Sequence, residues 1–161
     1  MASRDINQCT LWMRKKWGEL RAMCARIGLD VRLSCTTRSC DEHGALWAQG
    51  RRTLDFVNHA RAKVGLPSIT AAQNKRKVTW TLNSKHVLSD NRPLSEAFDV
   101  YLQKDNLAIW DLKADVNEDN RSDYDQIITI ARSIGLVCGA DFSNPDYSHF
   151  ECPSNKIIYG V

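Results

Sequence analysis

Hydrophobic positions near the start of the chain predict a helix that is followed directly by a strand. Apolar side chains recur every three or four residues, which places them on one helical face: Met13, Trp17, Leu20, Cys24 and Ile27. Gly28 ends this pattern, as glycine commonly does just beyond a helix. From Leu29 to Cys35 apolar and polar residues alternate, which is typical of a half-buried strand. We therefore expect a helix over residues 10–27 and a strand after it.

Two further helices are predicted in the second quarter of the chain. Ser39 and Glu42 have the spacing of a capping box, so a helix is expected to begin there and to run through Gln49. The pattern of residues 54–64 is also compatible with a helix, and a Gly-Leu-Pro sequence follows it. The rest of the stretch 52–76 has no clear periodicity and is left unassigned.

The second half of the chain combines strands with one well-marked helix. That helix is predicted over residues 122–134, where apolar side chains share one face and Gly135 follows the last of them. Four segments have the composition of strands: residues 77–82, 97–102, 137–141 and 149–152. The fold class expected from these elements is α+β, with a small, mostly antiparallel sheet and helices packed against it.

Bulk composition is that of an ordinary globular protein. The chain has 161 residues, a length sufficient to bury a core without disulfide bonds or structural metal ions. Hydrophobic residues make up 43% of it and charged residues 25%. The formal net charge of +3 is mild and indicates no more than solubility. There are no repeats, low-complexity tracts or long linkers, so a single domain is expected.

The first residues do not have the pattern of a secretory signal peptide. Charged residues interrupt the apolar run that such a signal requires, and no stretch approaches the roughly 20 apolar residues that span a bilayer. We therefore expect synthesis in a cytoplasm and no stable membrane association. The six cysteines contain no Cys-x-x-Cys pair, so reduced thiols are expected, with Cys24 and Cys138 in the core.

Two groupings of histidine and carboxylate carry the candidate chemistry. His86 is followed downstream by Asp99, and Asp146 precedes His149 by three positions after the turn at Gly135. Two imidazoles and one carboxylate are a common ligand set for catalytic zinc, which leaves a fourth position for water. The remaining carboxylate is then available as a general base. The pattern predicts a metal-dependent hydrolase.

The same residues resemble a known family. This family comprises the zinc D,D-carboxypeptidases of bacterial cell walls and the bacteriophage endolysins that cleave the L-alanyl-D-glutamate bond of peptidoglycan. The motifs that carry the resemblance are Thr37-Arg38-Ser39 with Ala45-Leu46-Trp47-Ala48-Gln49-Gly50-Arg51, Ser84-x-His86, Ala97-x-Asp99, Gly135-Leu136 and Asp146-x-x-His149-Phe150-Glu151. Their order and separation are more specific than any single motif. The resemblance implies a hedgehog-like zinc peptidase domain spanning residues 1–161, with an N-terminal helix 10–27 and a catalytic core of about 28–153.

The resemblance also implies a role for each motif residue. The zinc ligands would be His86, Asp99 and His149. Asp146 would be the general base, and the endolysin branch commonly has aspartate at this position. Arg38 would stabilise the developing oxyanion and bind a substrate carboxylate, and Ser84 would orient the substrate. Glu151 either accepts a hydrogen bond from His149 and so supports it as a ligand, or is an ordinary surface residue.

One departure from the family pattern concerns the spacing of the first two ligands. Twelve residues lie between His86 and Asp99, where relatives have six. The segment 89–93 is rich in turn-forming residues, so we expect the extra length to loop out. Asp90 and Glu96 within this insert remain alternative ligands to Asp99.

The function expected from the resemblance is hydrolysis of a peptide bond in peptidoglycan stem peptides, with the endolysin-type L-alanyl-D-glutamate bond preferred. A D-alanyl-D-alanine carboxypeptidase of the same fold is the first alternative. A catalytically inactive cell-wall-binding module is the second, because the insert disturbs the motif spacing. The cofactor would be Zn²⁺ and the partner a peptidoglycan peptide.

Other partners are not favoured by the sequence. A basic run, Lys75-Arg76-Lys77, lies near Trp80, but three charges beside one aromatic residue are a weak signal for nucleic acid. We expect a monomer. An endolysin-like protein without a signal peptide would reach the cell wall only after the host membrane has been permeabilised.

Overall fold

The computed structural model describes residues 2–154 and contains an α+β fold, as the sequence predicts. The helices are α1 Leu11–Arg26, α2 Cys40–Ala48, α3 Leu54–Lys63 and α4 Asp123–Ser133. The strands are β1 Asp30–Cys35, β2 Ala97–Lys104, β3 Leu107–Ile109, β4 Val137–Cys138 and β5 His149–Glu151. Short 3-10 turns lie at Ile6–Gln8, Gln73–Lys75 and Gly139–Asp141.

The five strands form one antiparallel sheet in the order β1-β2-β5-β4, with β3 pairing with β2. Strand β3 has no counterpart in the sequence prediction. It folds back on β2 through Asp105 and Asn106, whose φ angles are 51° and 63°. Consecutive positive φ values are those of a tight hairpin turn, and Asp and Asn tolerate them better than most residues.

One face of the sheet packs against α1 and α4 and contains the core. Phe98, Val100 and Leu102 of β2 are fully buried in that core, and Trp17 from α1 packs edge-on against Phe98 at 5.6 Å between ring centroids. Successive side chains of a strand point to opposite faces. Asp99, between Phe98 and Val100, therefore faces away from the core, and this second face carries the candidate site.

Hydroxyl side chains cap all four helices, and the cap at Ser39 was predicted from the sequence. Ser39 Oγ accepts a hydrogen bond from the N–H of Glu42, which is half of the predicted capping box. The other half is replaced, because the Glu42 carboxylate accepts from the N–H of Ala2 instead. Thr10, Thr53 and Ser122 cap the remaining helices.

The predicted strand over residues 77–82 is wrong. This segment is irregular. Two of its carbonyl groups accept hydrogen bonds from side chains in the region of α2 and not from a neighbouring strand. Arg51 donates to Thr79 O at 3.0 Å, and His43 Nε2 donates to Thr81 O at 2.7 Å. The alternating apolar side chains that suggested a strand are exposed: Val78, Trp80 and Leu82. The segment predicted as a strand over 137–141 is also shorter, because a 3-10 turn follows Cys138.

Among residues 2–154, no helix is both long enough and apolar enough to cross a membrane. Cys24 and Cys138 are free thiols in the core, as predicted.

Candidate metal centre and cleft

Antiparallel pairing brings three chemically active side chains into one row across the sheet. Asp99 on β2 lies opposite Cys35 on β1 and opposite His149 on β5. Residues that are directly opposite in an antiparallel pair project their side chains to the same face. His86 comes from the loop before β2, where the carbonyl of His86 accepts a hydrogen bond from the N–H of Arg38 at 3.0 Å.

Three of the predicted ligand atoms converge on one point. His86 Nε2 lies 3.0 Å from Asp99 Oδ1 and 3.1 Å from His149 Nδ1, and His149 Nδ1 lies 3.0 Å from Asp99 Oδ1. All three residues are buried. Ligands that bind one tetrahedral zinc ion at about 2.0–2.1 Å are separated by roughly 3.3 Å, so the triangle has the right size for this ion.

The outer ring nitrogens fix the tautomers of both histidines. His86 Nδ1 lies 3.0 Å from the carbonyl oxygen of Thr36, which can only accept, so Nδ1 carries the proton. His149 Nε2 lies 3.0 Å from the carboxylate of Glu151 and donates to it in the same way. When either ring is neutral, its inner nitrogen is therefore the unprotonated one. Such outer partners are typical of metal-binding histidines, whose orientation and basicity they control.

The converging atoms require a positive charge. Two nitrogen lone pairs and a carboxylate oxygen within 3.1 Å repel one another unless a proton or a metal ion lies between them. Burial lowers the pKa of each histidine, but Asp99 outweighs this effect and raises the pKa of His86 and of His149 to about 9. Burial raises the pKa of Asp99, yet the two imidazoles hold it far below its usual range. The donor set thus fits zinc, which replaces these protons when the ligands bind it.

Cys35 is a further neighbour of His86. Its thiol lies 3.8 Å from His86 Nδ1, and donor atoms of Cys35, His86 and Asp99 all lie within 4.8 Å of one another. Nδ1 is the nitrogen that donates to Thr36 and is not the one that faces Asp99 and His149. We therefore favour the triangle with His149 over a site that includes Cys35.

Arg38 is bound to the carboxylate of Asp99, one of the candidate metal ligands. Its Nη2 donates to Asp99 Oδ2 at 2.8 Å, while Asp99 Oδ1 faces the two histidines. The side chain of Arg38 is one-fifth exposed and lines the cleft described below. The arginine that the sequence suggested as a substrate contact therefore also orients Asp99.

Asp146 lies in a turn that is held by its neighbours. Its Oδ1 accepts hydrogen bonds from the hydroxyl of Ser148 at 2.8 Å and the N–H of Ser148 at 3.2 Å. The N–H of Asp146 donates to Gly139 O at 2.9 Å, and the Asp146 carbonyl accepts from the N–H of His149 at 3.2 Å. Both side-chain bonds fall on Oδ1, so within residues 2–154 Oδ2 is left for water or substrate.

The insert between His86 and Asp99 forms a closed turn away from the ligand triangle. Ser89 and Arg92 exchange two backbone hydrogen bonds of 2.8 and 2.9 Å, and Asp90 lies exposed between them. Arg92 donates to Ser84 O at 2.8 Å and lies 3.7 Å from Glu96. The two alternative ligands thus point elsewhere.

Ser84 has a structural contact in the same loop. Its hydroxyl accepts from the N–H of His86 at 3.3 Å, and its carbonyl accepts from Val87 and Arg92. The residue lines the cleft but is mostly buried.

Lys85 is a residue of the site that sequence reasoning missed. Its ammonium group lies 3.0 Å from Glu151 and also donates to the carbonyl of Cys152. Burial raises the pKa of Glu151, but His149 and Lys85 lower it below its usual value, so the carboxylate is ionised and has two partners. The only sequence signal was adjacency, because Lys85 lies between two motif residues.

The ligand triangle of His86, Asp99 and His149 opens into a cleft of about 670 Å³, a size typical of ligand sites. One wall is the irregular segment 77–81, and a second consists of residues 142–148. Trp110 and Leu112, just after β3, also line the cleft. Trp80 and Trp110 are each 55% exposed, so the walls offer aromatic surface to a ligand.

Residues 79–152 match the model of a peptidase family described as D-alanyl-D-alanine carboxypeptidase, a segment that contains the whole ligand triangle. The chain is 31% identical over 139 residues to the peptidoglycan L-alanyl-D-glutamate endopeptidase CwlK of Bacillus subtilis, covering 84% of this chain and 68% of that protein. The chain belongs to this peptidase family.

The protein is therefore a peptidase, and peptidases of this family are zinc-dependent. A solved structure, the L-Ala D-Glu endopeptidase ChiX of Serratia marcescens, aligns with 86% of each chain at 15% identity and a TM-score of 0.43. Arg38 lies outside the segment that matches the family model, whereas Asp146 and Glu151 lie inside it.

Proposed function

We propose that this peptidase uses zinc to hydrolyse the L-alanyl-D-glutamate bond of peptidoglycan stem peptides. The observation that carries the metal assignment is the triangle of His86, Asp99 and His149, in which three donor atoms lie 3.0–3.1 Å apart. The relative CwlK, which is named for cleavage of this bond, supports the choice of substrate.

Bound zinc would act as a Lewis acid toward the scissile carbonyl and would make water a better nucleophile near neutral pH. The chain's own residues prepare the ligands for this task. Thr36 and Glu151 hold the outer nitrogens of the two histidines, and Arg38 holds the outer oxygen of Asp99. Each ligand is thus oriented by a second residue before any metal arrives.

Asp146 is the proposed general base. It would accept the proton of the attacking water through Oδ2 and return it to the amino group of the leaving D-glutamate. Ser148 holds the other carboxylate oxygen and restricts the side chain to one orientation. Glu151 is a weaker candidate for this task, because His149 and Lys85 already occupy its oxygens.

Substrate binding is proposed to involve the charge and the aromatic surface of the cleft. A stem peptide cut before D-glutamate carries carboxylate groups, and Arg38 and Lys77 are cations in the cleft lining. Arg38 donates one hydrogen bond to Asp99. A guanidinium group has five N–H donors, so the remaining ones can bind a substrate carboxylate or the developing oxyanion. Ser84, which also lines the cleft, is proposed to contact the substrate backbone.

The biological setting that we propose is lysis of a bacterial host by an endolysin-like enzyme. The protein would act as a monomer on the cell wall once the cytoplasmic membrane has been permeabilised, without stable attachment to that membrane or to nucleic acid. An inactive wall-binding module is not favoured, because the insert folds into its own turn and leaves the ligand triangle intact.

Mass analysis of digested peptidoglycan tests the proposed bond. Zinc-loaded protein is incubated with purified peptidoglycan, and the fragments are compared with those from the His149→Ala variant. We expect a new amino terminus on D-glutamate and a new carboxyl terminus on L-alanine. Release of free D-alanine would instead identify a D-alanyl-D-alanine carboxypeptidase, and an unchanged substrate would argue against hydrolysis of the stem peptide.

A further inference from the structure

A second group of oxygen-rich residues lies in the loop that leads into α4, apart from the metal triangle. Asp115, Asn117 and Asp119 alternate along the loop, and Asp123 follows four residues later. These are positions 1, 3, 5 and 9 of the calcium-binding loop found between the helices of EF-hand proteins. At position 12, where that loop has glutamate, this chain has Gln126.

Two buried oxygen atoms of this loop have no hydrogen-bond partner among residues 2–154. Asp123 is fully buried, and its Oδ2 accepts from the N–H of Val116 at 2.7 Å, whereas its Oδ1 has no partner within residues 2–154. The side-chain oxygen of Asn117 is also buried without a partner in the same part of the chain. A buried polar atom without a partner is costly, so the position of both atoms calls for a ligand.

No basic side chain in the described part of the chain pairs with the acidic residues of the loop. No lysine, arginine or histidine of residues 2–154 lies within 4.0 Å of the carboxylates of Asp115, Asp119 or Asp123. Burial raises the pKa of Asp123, and the neighbouring charges of Asp115 and Asp119 raise it further. A cation bound among these groups would relieve both effects.

The loop backbone is already folded around its first acidic residue. The two carboxylate oxygens of Asp115 accept hydrogen bonds from the N–H groups of Asp119 at 3.0 Å and Asn120 at 2.9 Å. Asn120 has a φ of 64° at the position where EF-hand loops have glycine. The Gln126 side chain donates to Asp119 Oδ1 at 3.2 Å, so the twelfth position reaches back to the loop.

We propose that this loop binds one calcium ion through the side-chain oxygens of Asp115, Asn117, Asp119 and Asp123. The donors are all oxygen atoms, which suit calcium and not zinc. A loop with three carboxylates and an amide is a hard, flexible donor set that does not impose the strict octahedral geometry preferred by magnesium. Because Gln126 replaces the bidentate glutamate, the affinity is expected in the range of about 10⁻⁵–10⁻³ M.

The site is connected to the wall of the cleft. Ser122 donates to the carbonyl of Leu112 at 2.8 Å, and the hydroxyl of Tyr124 donates to the carbonyl of Ile109 at 3.0 Å. These two bonds hold the segment that carries Trp110, which lines the cleft. Calcium bound in the loop would therefore stabilise both the start of α4 and this wall.

Calorimetric titration of the zinc-loaded protein with calcium chloride tests the site, with magnesium chloride titrated separately. We expect saturable binding of one calcium ion per chain and weaker or no binding of magnesium. At a calcium concentration 100-fold above the dissociation constant, the Tm should rise by about 5–10 °C. Asp119→Asn should weaken calcium binding at least tenfold, since it removes one ligand charge from an exposed position.

Glu118→Gln is the matched control, because Glu118 is exposed, lies in the same loop and occupies a non-ligating position. It removes the same charge and should leave calcium binding within about twofold, as expected for a surface charge. The proposal is overturned if no saturable calcium binding occurs, or if both variants weaken binding equally, which would mean diffuse attraction to an acidic surface. These measurements do not depend on peptidase activity, so they remain valid whichever bond the enzyme cleaves.

Discussion

Gly139 lies directly against His149, so closely that any side chain at residue 139 would collide with it. A Cβ placed on Gly139 would lie 2.8 Å from the Cβ of His149, and it would also overlap the carbonyl oxygen of Asp146. The carbonyl of Gly139 accepts from the N–H of Asp146 at 2.9 Å. The turn that carries both the proposed base and one ligand is therefore positioned by a glycine.

Substitution of Gly139 by alanine should disturb the site more than the fold. Overpacking of this kind typically costs about 1–3 kcal/mol, and it would push His149 out of the ligand triangle. We expect zinc affinity to fall more than tenfold, as measured by competition with a chelator. Gly44→Ala in α2 is the control, because a Cβ there meets nothing within 4 Å and alanine favours the helix. Equal zinc affinity in both variants would contradict the role of Gly139.

Each of the two ligand histidines should be required for zinc binding. His86→Ala and His149→Ala should both lose tightly bound zinc while retaining the far-ultraviolet circular dichroism of the native fold. The exposed His59 in α3 provides a control, and His59→Ala should bind one zinc ion per chain like the wild type. Elemental analysis of the purified proteins gives the metal content. A zinc-free wild type, or full activity in excess chelator, would refute the metal assignment.

The third ligand is predicted to be Asp99 and not a carboxylate of the insert. Asp99→Asn should lower zinc affinity sharply, because an amide oxygen is a poorer ligand than a carboxylate. Asp90→Asn and Glu96→Gln should retain zinc, since Asp90 is exposed in its turn and Glu96 lies 3.7 Å from Arg92. Equilibrium dialysis against labelled zinc distinguishes the three variants. If Asp90→Asn alone lost zinc, the third ligand would be Asp90 in the insert and not Asp99.

Asp146 should be needed for turnover but not for metal binding. An asparagine at this position keeps the shape and an acceptor for Ser148, yet it cannot take a proton from water. We expect Asp146→Asn to bind zinc normally and to lose about 10²–10⁴-fold in kcat. Ser148→Ala should lose much less, because the carboxylate would remain. Near-normal turnover of Asp146→Asn would place the base elsewhere, with Glu151 as the next residue to test.

The exposed Cys40 should react faster with a thiol reagent than the buried cysteines do. Burial raises the pKa of Cys9 and of Cys24 to about 12, so both are protonated at pH 8 in the native state. Cys40 at the start of α2 is exposed. We expect iodoacetamide at pH 8 to modify Cys40 rapidly, and Cys9 and Cys24 only after unfolding in urea. Peptide mass mapping identifies the sites, and Cys40→Ser should remove the fast phase.

Local patterns in the sequence were sufficient for most of the helices and for the fold class. The predicted helices over residues 10–27 and 122–134 correspond to α1 and α4, because a helix is specified by contacts within four residues and by caps such as Thr10 and Ser122. The strand over 77–82 was wrong for the opposite reason. A strand needs a neighbouring strand to bind its backbone groups. In this segment the side chains of His43 and Arg51 donate hydrogen bonds to carbonyl groups that a neighbouring strand would otherwise have bound.

The sequence by itself also determined the candidate ligands, since motif spacing singled out His86, Asp99 and His149. Only the tertiary structure decided how these residues work together. Pairing of β2 with β5 places Asp99 opposite His149, 50 residues away, and the carbonyl of Thr36 selects the ring nitrogen that His86 presents. The ion pairs of Arg38 with Asp99 and of Lys85 with Glu151 likewise could not be predicted from the sequence. Such contacts arise from strand pairing and loop closure over long separations, which no local pattern of residues encodes.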